Sequence, residues 1–419
     1  MKQLAVTITA QSPMAIGRKK PGGSVSEVEE YIPGSVLRGA IAAQILSLTD
    51  EAIAPNDDFA QLFTSAQPAI FCNAYSAIAQ TGEDTYGRTD APAWVLPATA
   101  VSAKADSGFT ITGNGGVFDT LIDRFCAAAV GYPYEPTSPK AGDPVEPFSE
   151  VYSCQNKQHR PHFVNSRFLT RVGINRRRAV AEDQILYSVA VLNESFLTDT
   201  RAQEATWEPM VFKGAIRVVD DVLAERLIAF LNVRSHRLRI GSSRSRGLGK
   251  VTLTVEEDAL PTHLSERVQQ FNDALDKRWQ DLWSLLDNHA FSPKSRTYFT
   301  LCLQSDAILT DRWRRTTVIS PEMLQRLPNA PTDKSLQLHA TYSSYGYRSG
   351  WNAAWGLMKD QALVTNKGSV YLLSTAQRDA WLPVLAELEQ MGVGDRTSEG
   401  FGQVRVCHEF HQVMRENPA

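Results

Sequence analysis

Gly241-Ser-Ser-Arg-Ser-Arg-Gly247-Leu-Gly-Lys-Val251 and Gly394-Asp-Arg-Thr-Ser-Glu-Gly400-Phe-Gly-Gln-Val404 share one frame. It reads glycine, five residues, glycine, a large apolar residue, glycine, any residue, valine. Each copy follows a stretch of helical period, residues 222–231 in the first case and 380–391 in the second. Each then runs into residues of strand type, 250–255 and 403–407. Helix, glycine loop and strand in one register, twice, predict a duplicated α+β unit.

Outward from these loops, the first half opens on Met1-Lys-Gln-Leu-Ala-Val-Thr-Ile8, which alternates like a strand. A basic turn follows, Gly17-Arg-Lys-Lys-Pro-Gly-Gly23, and then Tyr31-Ile-Pro-Gly-Ser35. Ser35 is placed as the N-cap of a helix whose Leu37, Ile41, Ile45 and Leu48 share a face, with Arg38 and Gln44 outside it. Residues 50–155 are rich in proline, glycine and aspartate and read as a long irregular insertion with no assignable role. The join between the halves carries an acidic turn (Glu256-Glu-Asp258), Pro261, an amphipathic stretch over 264–286, and Ser292-Pro-Lys294 before a strand at 297–303. The expected organisation is a first domain over 1–257, a linking helix within 258–295 and a second domain over 296–412.

With 419 residues, 43% of them hydrophobic and 21% charged, the composition is that of a globular chain of two domains. No apolar run approaches the roughly 18 residues that suggest a membrane span, and the N-terminus has no signal-peptide pattern. The five cysteines are scattered, with no C-x-x-C pair. This points to a reducing, cytoplasmic setting, without a disulfide framework, metal or cofactor, and with no membrane partner.

The net charge of −3 does not suggest a nucleic-acid binder, but the charge is unevenly placed. Arg18, Lys19 and Lys20 sit in the first turn. Arg160, Arg167, Arg171, Arg176, Arg177 and Arg178 fall in a stretch without an acid. Arg234, Arg237, Arg239, Arg244, Arg246 and Lys250 lead into and fill the first glycine loop, again with no acid between them. Guanidinium forks and a glycine backbone that admits close approach suit phosphate chains. In the second half Tyr342, Tyr345, Tyr347, Arg348, Trp351, Asn352 and Trp355 crowd a Gly-Ser segment, a composition that suits base stacking or a packed core equally.

Taken together, these landmarks resemble the RAMP proteins of CRISPR systems. The resemblance rests on Ile32-Pro-Gly-Ser-Val-Leu-Arg-Gly-Ala-Ile41, on Thr170-Arg-Val-Gly-Ile-Asn-Arg-Arg-Arg178 with Ala181-Glu-Asp-Gln-Ile-Leu-Tyr-Ser-Val189, on both glycine loops, and on Ser349-Gly-Trp-Asn-Ala-Ala-Trp-Gly356. It covers nearly the whole chain and is nearest to the type III-D RAMP subunits of the Cas-five-like group. It implies two ferredoxin-like (RRM-related) βαββαβ domains and an RNA-binding subunit that grips the crRNA at its repeat-derived 5′ handle. The implied partners are the large polymerase/cyclase-type subunit, the backbone RAMP subunits and, indirectly, target RNA. The residues so implicated are Ser35, Arg38, Arg171, Arg176, Arg177, Arg178 and the two loops with Gly241, Arg244, Arg246, Gly247, Gly249, Lys250, Arg396, Gly400 and Gly402. The chain departs from the paired cysteines expected of such relatives before residue 155, carrying only Cys126 and Cys154 near there, which puts a structural zinc in doubt.

Two other functions compete with this one. A metal-independent endoribonuclease processing precursor crRNA would need a histidine at the 2′-OH, with His159, His162 and His236 the candidates. His159 and His162 have H-x-x-H spacing, but no third ligand is recognisably placed. A Cas-seven-like backbone subunit tiling the guide is the second alternative. No Walker loop, G-G-D-D or H-D pair is present, so the expectation is a chain without catalytic residues.

Overall fold

In the computed structural model the described residues are 1–18, 27–48, 54, 57–139, 142–175, 177–260, 263–284, 295–352 and 356–419. The first half is built from strand β1 (Lys2–Ala10), helix α1 (Gly34–Leu46), short strands β2 (Ile70–Phe71) and β3 (Tyr75–Ser76), hairpin strands β4 (Ser166–Asn175) and β5 (Val180–Leu192), strand β6 (Val211–Val218), helix α2 (Asp221–Arg234) and strand β7 (Val251–Asp258). Its sheet runs β7-β1-β6-β2, with β3 also on β6, and every pairing is antiparallel. Alternate residues Leu4, Val6 and Ile8 of β1 point to one face, where they join Leu37 and Ile41 of α1 and Leu227 and Leu231 of α2 in one core. Asp220 starts α2 by accepting the Leu223 N–H at 2.7 Å.

Helix α3 (Leu264–Ser284) then leads into β8 (Thr297–Leu303), β9 (Gln337–Tyr342), a second hairpin β10 (Tyr345–Asn352) and β11 (Leu357–Thr365), β12 (Val370–Thr375), helix α4 (Arg378–Met391) and β13 (Val404–Val406). This sheet runs β9-β12-β8-β13. Numbered within its own half, each sheet has its last strand beside its first, then its third, then its second. The two hairpins also occupy equivalent places, between the second and third strands. The helix expected after β8 is reduced to one turn, Pro321–Leu324. Helix α3 packs on this half, burying Leu264, Val268, Phe271, Leu275 and Trp279 in the second core at helical spacing.

The stretch expected to be irregular is not. It supplies β2 and β3 to the first sheet, forms one three-stranded sheet and two strands of another, which Gln158–Pro161 completes, and contains a helix, Leu121–Ala129. That helix places Leu121, Ile122 and Cys126 in the core of the second half. Consecutive β8 residues face opposite ways, so Phe299 meets Trp381 of α4 (centroids 6.5 Å) while Tyr298 meets Phe125 (5.4 Å). The insertion thus covers the sheet face that α4 leaves open. It is further fixed there by Arg278 on Asp123 and by Asp119 with His411, both fully buried and 3.1 Å apart.

Ser35 is not the N-cap of α1. Pro33 holds that position, and the Gly34 N–H is satisfied by the Asn73 Oδ1 at 2.9 Å. Leu48 lies beyond the helix end. No helix among the described residues is long and apolar enough to cross a membrane.

Candidate nucleic-acid interface

The two glycine loops have one backbone. Positive φ recurs at Gly241 (87°), Ser243 (56°), Gly247 (85°) and Gly249 (79°), and again at Gly394 (84°), Arg396 (58°), Gly400 (92°) and Gly402 (68°). A single 3-10 turn fills the middle of each, Arg244–Arg246 and Thr397–Glu399. The anchoring hydrogen bonds correspond as well. Ser242 N donates to Ala15 O and Asp395 N to Ile308 O, while Ile240 N donates to Gly249 O and Val393 N to Gly402 O, all at 2.8 Å. A Cβ on Gly249 or Gly402 would collide with the carbonyl of Ile240 or Val393, which explains the last glycine of the frame.

Their surroundings differ. The first loop is open: Arg244, Arg246, Gly247 and Lys250 are exposed, and a Cβ on Gly247 would meet nothing within 4 Å. Leu248 pins the loop from beneath, packing with Ala15 and Val191 at the foot of the β4–β5 hairpin. Burial alternates along β4, so Arg167, Leu169 and Arg171 share the face turned to the loop. There Arg171 donates to the Arg246 carbonyl at 3.3 Å, and Arg246 reaches the Tyr187 hydroxyl at 2.5 Å, its guanidinium 5.4 Å from the ring centre. None of Arg234, Arg237, Arg239, Arg244, Arg246 and Lys250 enters an ion pair with a described residue. Exposed cations around a loop with repeated positive φ are the features that suit an anion. Arg177 and Arg178 stand exposed at the hairpin tip, where both backbone N–H groups donate to Asn175 Oδ1.

The second loop is docked on the first half. Gly400 lies against Phe71 O, Asn73 and the backbone of Gly34, and Glu399 is held by Arg396 (2.5 Å) and Lys359 (3.1 Å). The pair with Glu399 and the contact with the Phe401 ring (4.9 Å) occupy Arg396, the only arginine of this loop. Beside it, Arg217 of β6 donates to the carbonyls of Glu389 (2.9 Å) and Gln390 (2.7 Å) at the end of α4. The resemblance implicates this loop in RNA contact; in the structure it packs as a joint between the halves.

Other expected contacts also turn inward. Arg38 donates to Phe63 O at 2.5 Å and lies over the Phe63 ring, and burial lowers its pKa. Arg348 is enclosed by Glu29, by Asp306 at 2.6 Å and by the Tyr31 hydroxyl at 3.4 Å. Arg167 pairs with Glu194 at 2.9 Å. Gly17–Arg18 is a strand paired with Glu27–Val28, whereas Lys19, Lys20, Arg176, Trp355 and the side chains of Arg18, Trp351 and Asn352 lie outside the described residues. Tyr345 and Tyr347 are exposed on β10, edge to face at 6.3 Å.

The histidines are scattered. His159 stacks over Phe109 at 6.3 Å, and burial lowers its pKa. His162 is buried on the wall of a crevice of about 1100 Å³ between the halves, its pKa pushed down to about 4 by desolvation. His236 is exposed in the turn that ends α2. Among the described residues no three His, Cys, Asp or Glu side chains converge as a metal site.

Sequence reasoning passed over that crevice, where Lys367 Nζ lies 4.8 Å from the Tyr31 ring centre and 5.3 Å from that of Tyr75. Desolvation, with Glu30 nearby, raises Glu150 there to about 7. It also passed over Trp313, the most exposed large apolar side chain among the described residues. The run Asp311-Arg-Trp-Arg-Arg315 was the available signal.

No protein-family model matches the sequence, and no curated protein matches it. Among solved structures, the fold is similar to a chain in the type III-B Cmr-beta complex bound to cognate target RNA and AMPPnP. That pair shares 10% identity over 88% of this chain and 86% of the other, with a TM-score of 0.40. It is also similar to oligomeric Cmr4 from Pyrococcus furiosus, at 12% identity over 62% of this chain and 99% of that one, with a TM-score of 0.25.

Proposed function

We propose that this chain is an RNA-gripping subunit of a type III CRISPR effector complex, of the Cas-five-like RAMP kind. It holds the crRNA at the repeat-derived 5′ handle and docks the large subunit and the backbone subunits. Each half is read as a ferredoxin-like domain, a reading supported by the common strand order of the two sheets. The observation that carries the proposal is the first glycine loop, with its exposed, unpaired cations beside the basic face of the β4–β5 hairpin. Phosphates are the ligand such a surface suits, through guanidinium forks and backbone N–H groups together.

In this proposal the protein grips RNA and does not cut it. His159 and His162 are tied to aromatic packing and to the crevice wall, and His236 has no acid or base partner among the described residues. Metal-free cleavage needs a proton acceptor within about 3 Å of the 2′-OH. The test is co-purification from cells carrying the whole locus, followed by sequencing of the bound RNA. The expected result is crRNA with a common 5′ handle, at unchanged length in His159→Ala, His162→Ala and His236→Ala. Bound RNA without a shared sequence would remove handle recognition. A repeat cut abolished in one of these variants would make the protein a nuclease.

A further inference from the structure

Each half places a short antiparallel strand pair after its first strand and against its glycine loop. In the first half this is Gly17–Arg18 with Glu27–Val28, beside the Ala15–Ser242 bridge. In the second it is Leu309–Asp311 with Arg314–Thr316, beside the Ile308–Asp395 bridge. The second hairpin closes with two residues, Arg312 and Trp313, both at positive φ (46° and 68°). A two-residue turn of this hand matches strand twist and is normally built from Asn-Gly or its like, because bulky residues avoid the conformation. Here it carries an arginine and a tryptophan, and the indole is 99% exposed. The hairpin is braced from behind, where Asp395 accepts from Thr310 at 2.9 Å and from Arg315 at 2.5 Å. Arg326 holds Asp311 at 2.5 Å. Arg312 and Arg314, which flank Trp313 in the sequence, are exposed and enter no ion pair with a described residue.

An exposed indole on a braced turn, with an unpaired arginine next to it on each side in the sequence, has the components of a single-strand RNA contact: a stacking face and cations for the flanking phosphates. We propose that Trp313 stacks on an unpaired nucleobase of bound RNA, with Arg312 and Arg314 on the adjoining phosphates. This rests on the reading of the chain as an RNA-binding subunit and adds a second contact, on the half whose glycine loop is docked. The first-half sequence is also basic at the corresponding place, with Arg18, Lys19 and Lys20, which favours RNA over a protein partner as the occupant.

The test uses the full-length protein and an end-labelled, single-stranded repeat RNA, read by fluorescence anisotropy at fixed salt. Trp313→Ala should weaken binding by about 5- to 150-fold, the range of one stacked base. Trp313→Phe should keep most of the affinity, and thermal stability should be unchanged in both, since the side chain supports no packing. Equal weakening in the Phe and Ala variants would contradict stacking. Unchanged affinity in Trp313→Ala, beside weakened binding in Arg244→Ala/Arg246→Ala, would overturn the Trp313 contact and leave RNA binding standing. Normal RNA affinity with failed capture of the other complex subunits would assign Trp313 to a protein partner and overturn the proposal. Failure of the wild-type chain to bind any RNA would overturn both.

Discussion

Gly34 and Gly400 meet backbone to backbone: a Cβ on Gly400 would stand 3.2 Å from the Gly34 Cα and 2.8 Å from the Phe71 carbonyl oxygen. Gly34 needs glycine first because the Phe71 carbonyl of its own half would stand 1.8 Å from a Cβ, with the Glu399 carbonyl of the second loop at 2.9 Å, whereas the contacts that exclude a side chain at Gly400 all come from the first half, across the joint. At Gly247, its counterpart, the space is open. Gly247→Ala should cost only backbone strain, about 1–2 kcal/mol. Gly400→Ala adds a collision that neither backbone can relieve and should cost about 2–5 kcal/mol. Urea unfolding midpoints compare the two, and equal losses would contradict the joint.

Arg348 predicts the opposite of what an RNA contact would. Its guanidinium lies among Glu29, Asp306 and Tyr31, in a largely buried pocket. Removing one partner of such a cluster strands the other charges, at about 3–5 kcal/mol. Arg348→Ala should thus lower thermal stability strongly, while the fraction that remains folded binds RNA as the wild type does. A stable variant with weak RNA binding would return Arg348 to the interface.

The duplicated plan was legible because positive φ leaves a mark in sequence, a glycine at fixed spacing, in both Gly241–Gly249 and Gly394–Gly402. The difference in surroundings, one loop open and the other docked, was not. It is set by Gly34, Phe71 and Asn73, more than 300 positions from Gly400 in the chain, and both loops make the same local demands on their residues. Arg348 misled for a related reason: its aromatic and glycine neighbours suggested a surface, while its carboxylate partners come from Glu29 and Asp306. The span 50–155 read as irregular because strands of two to five residues, such as Ala100–Ala103 and Val151–Gln155, are too short to show a period. Pairing and burial from distant segments hold them.

His162 supplies a pH dependence with a definite sign. Desolvation lowers its pKa from 6.5 to about 4, so between those values the unfolded chain binds more protons than the folded one. Its contribution is fully present above pH 6.5 and is lost as pH falls towards 4, amounting to on the order of 3 kcal/mol. His162→Phe keeps a planar ring and removes the titration. Urea midpoints of the variant should fall less than those of the wild type between pH 6.5 and 4. Parallel curves would show that His162 is solvated in the folded protein.

In the proposed function the first glycine loop, and not the second, grips the RNA backbone. This is tested most directly by the salt dependence of binding to repeat-derived RNA, comparing wild type, Arg244→Ala/Arg246→Ala and Arg396→Ala. For single-stranded RNA, each phosphate that the protein no longer neutralises should make the slope of log affinity against log salt shallower by about 0.7. A shallower slope is expected for the Arg244/Arg246 pair, with thermal stability unchanged because exposed arginines add little to it. Arg396→Ala should keep the wild-type slope. An unchanged slope in the double variant, or the larger change in Arg396→Ala, would contradict the proposed grip.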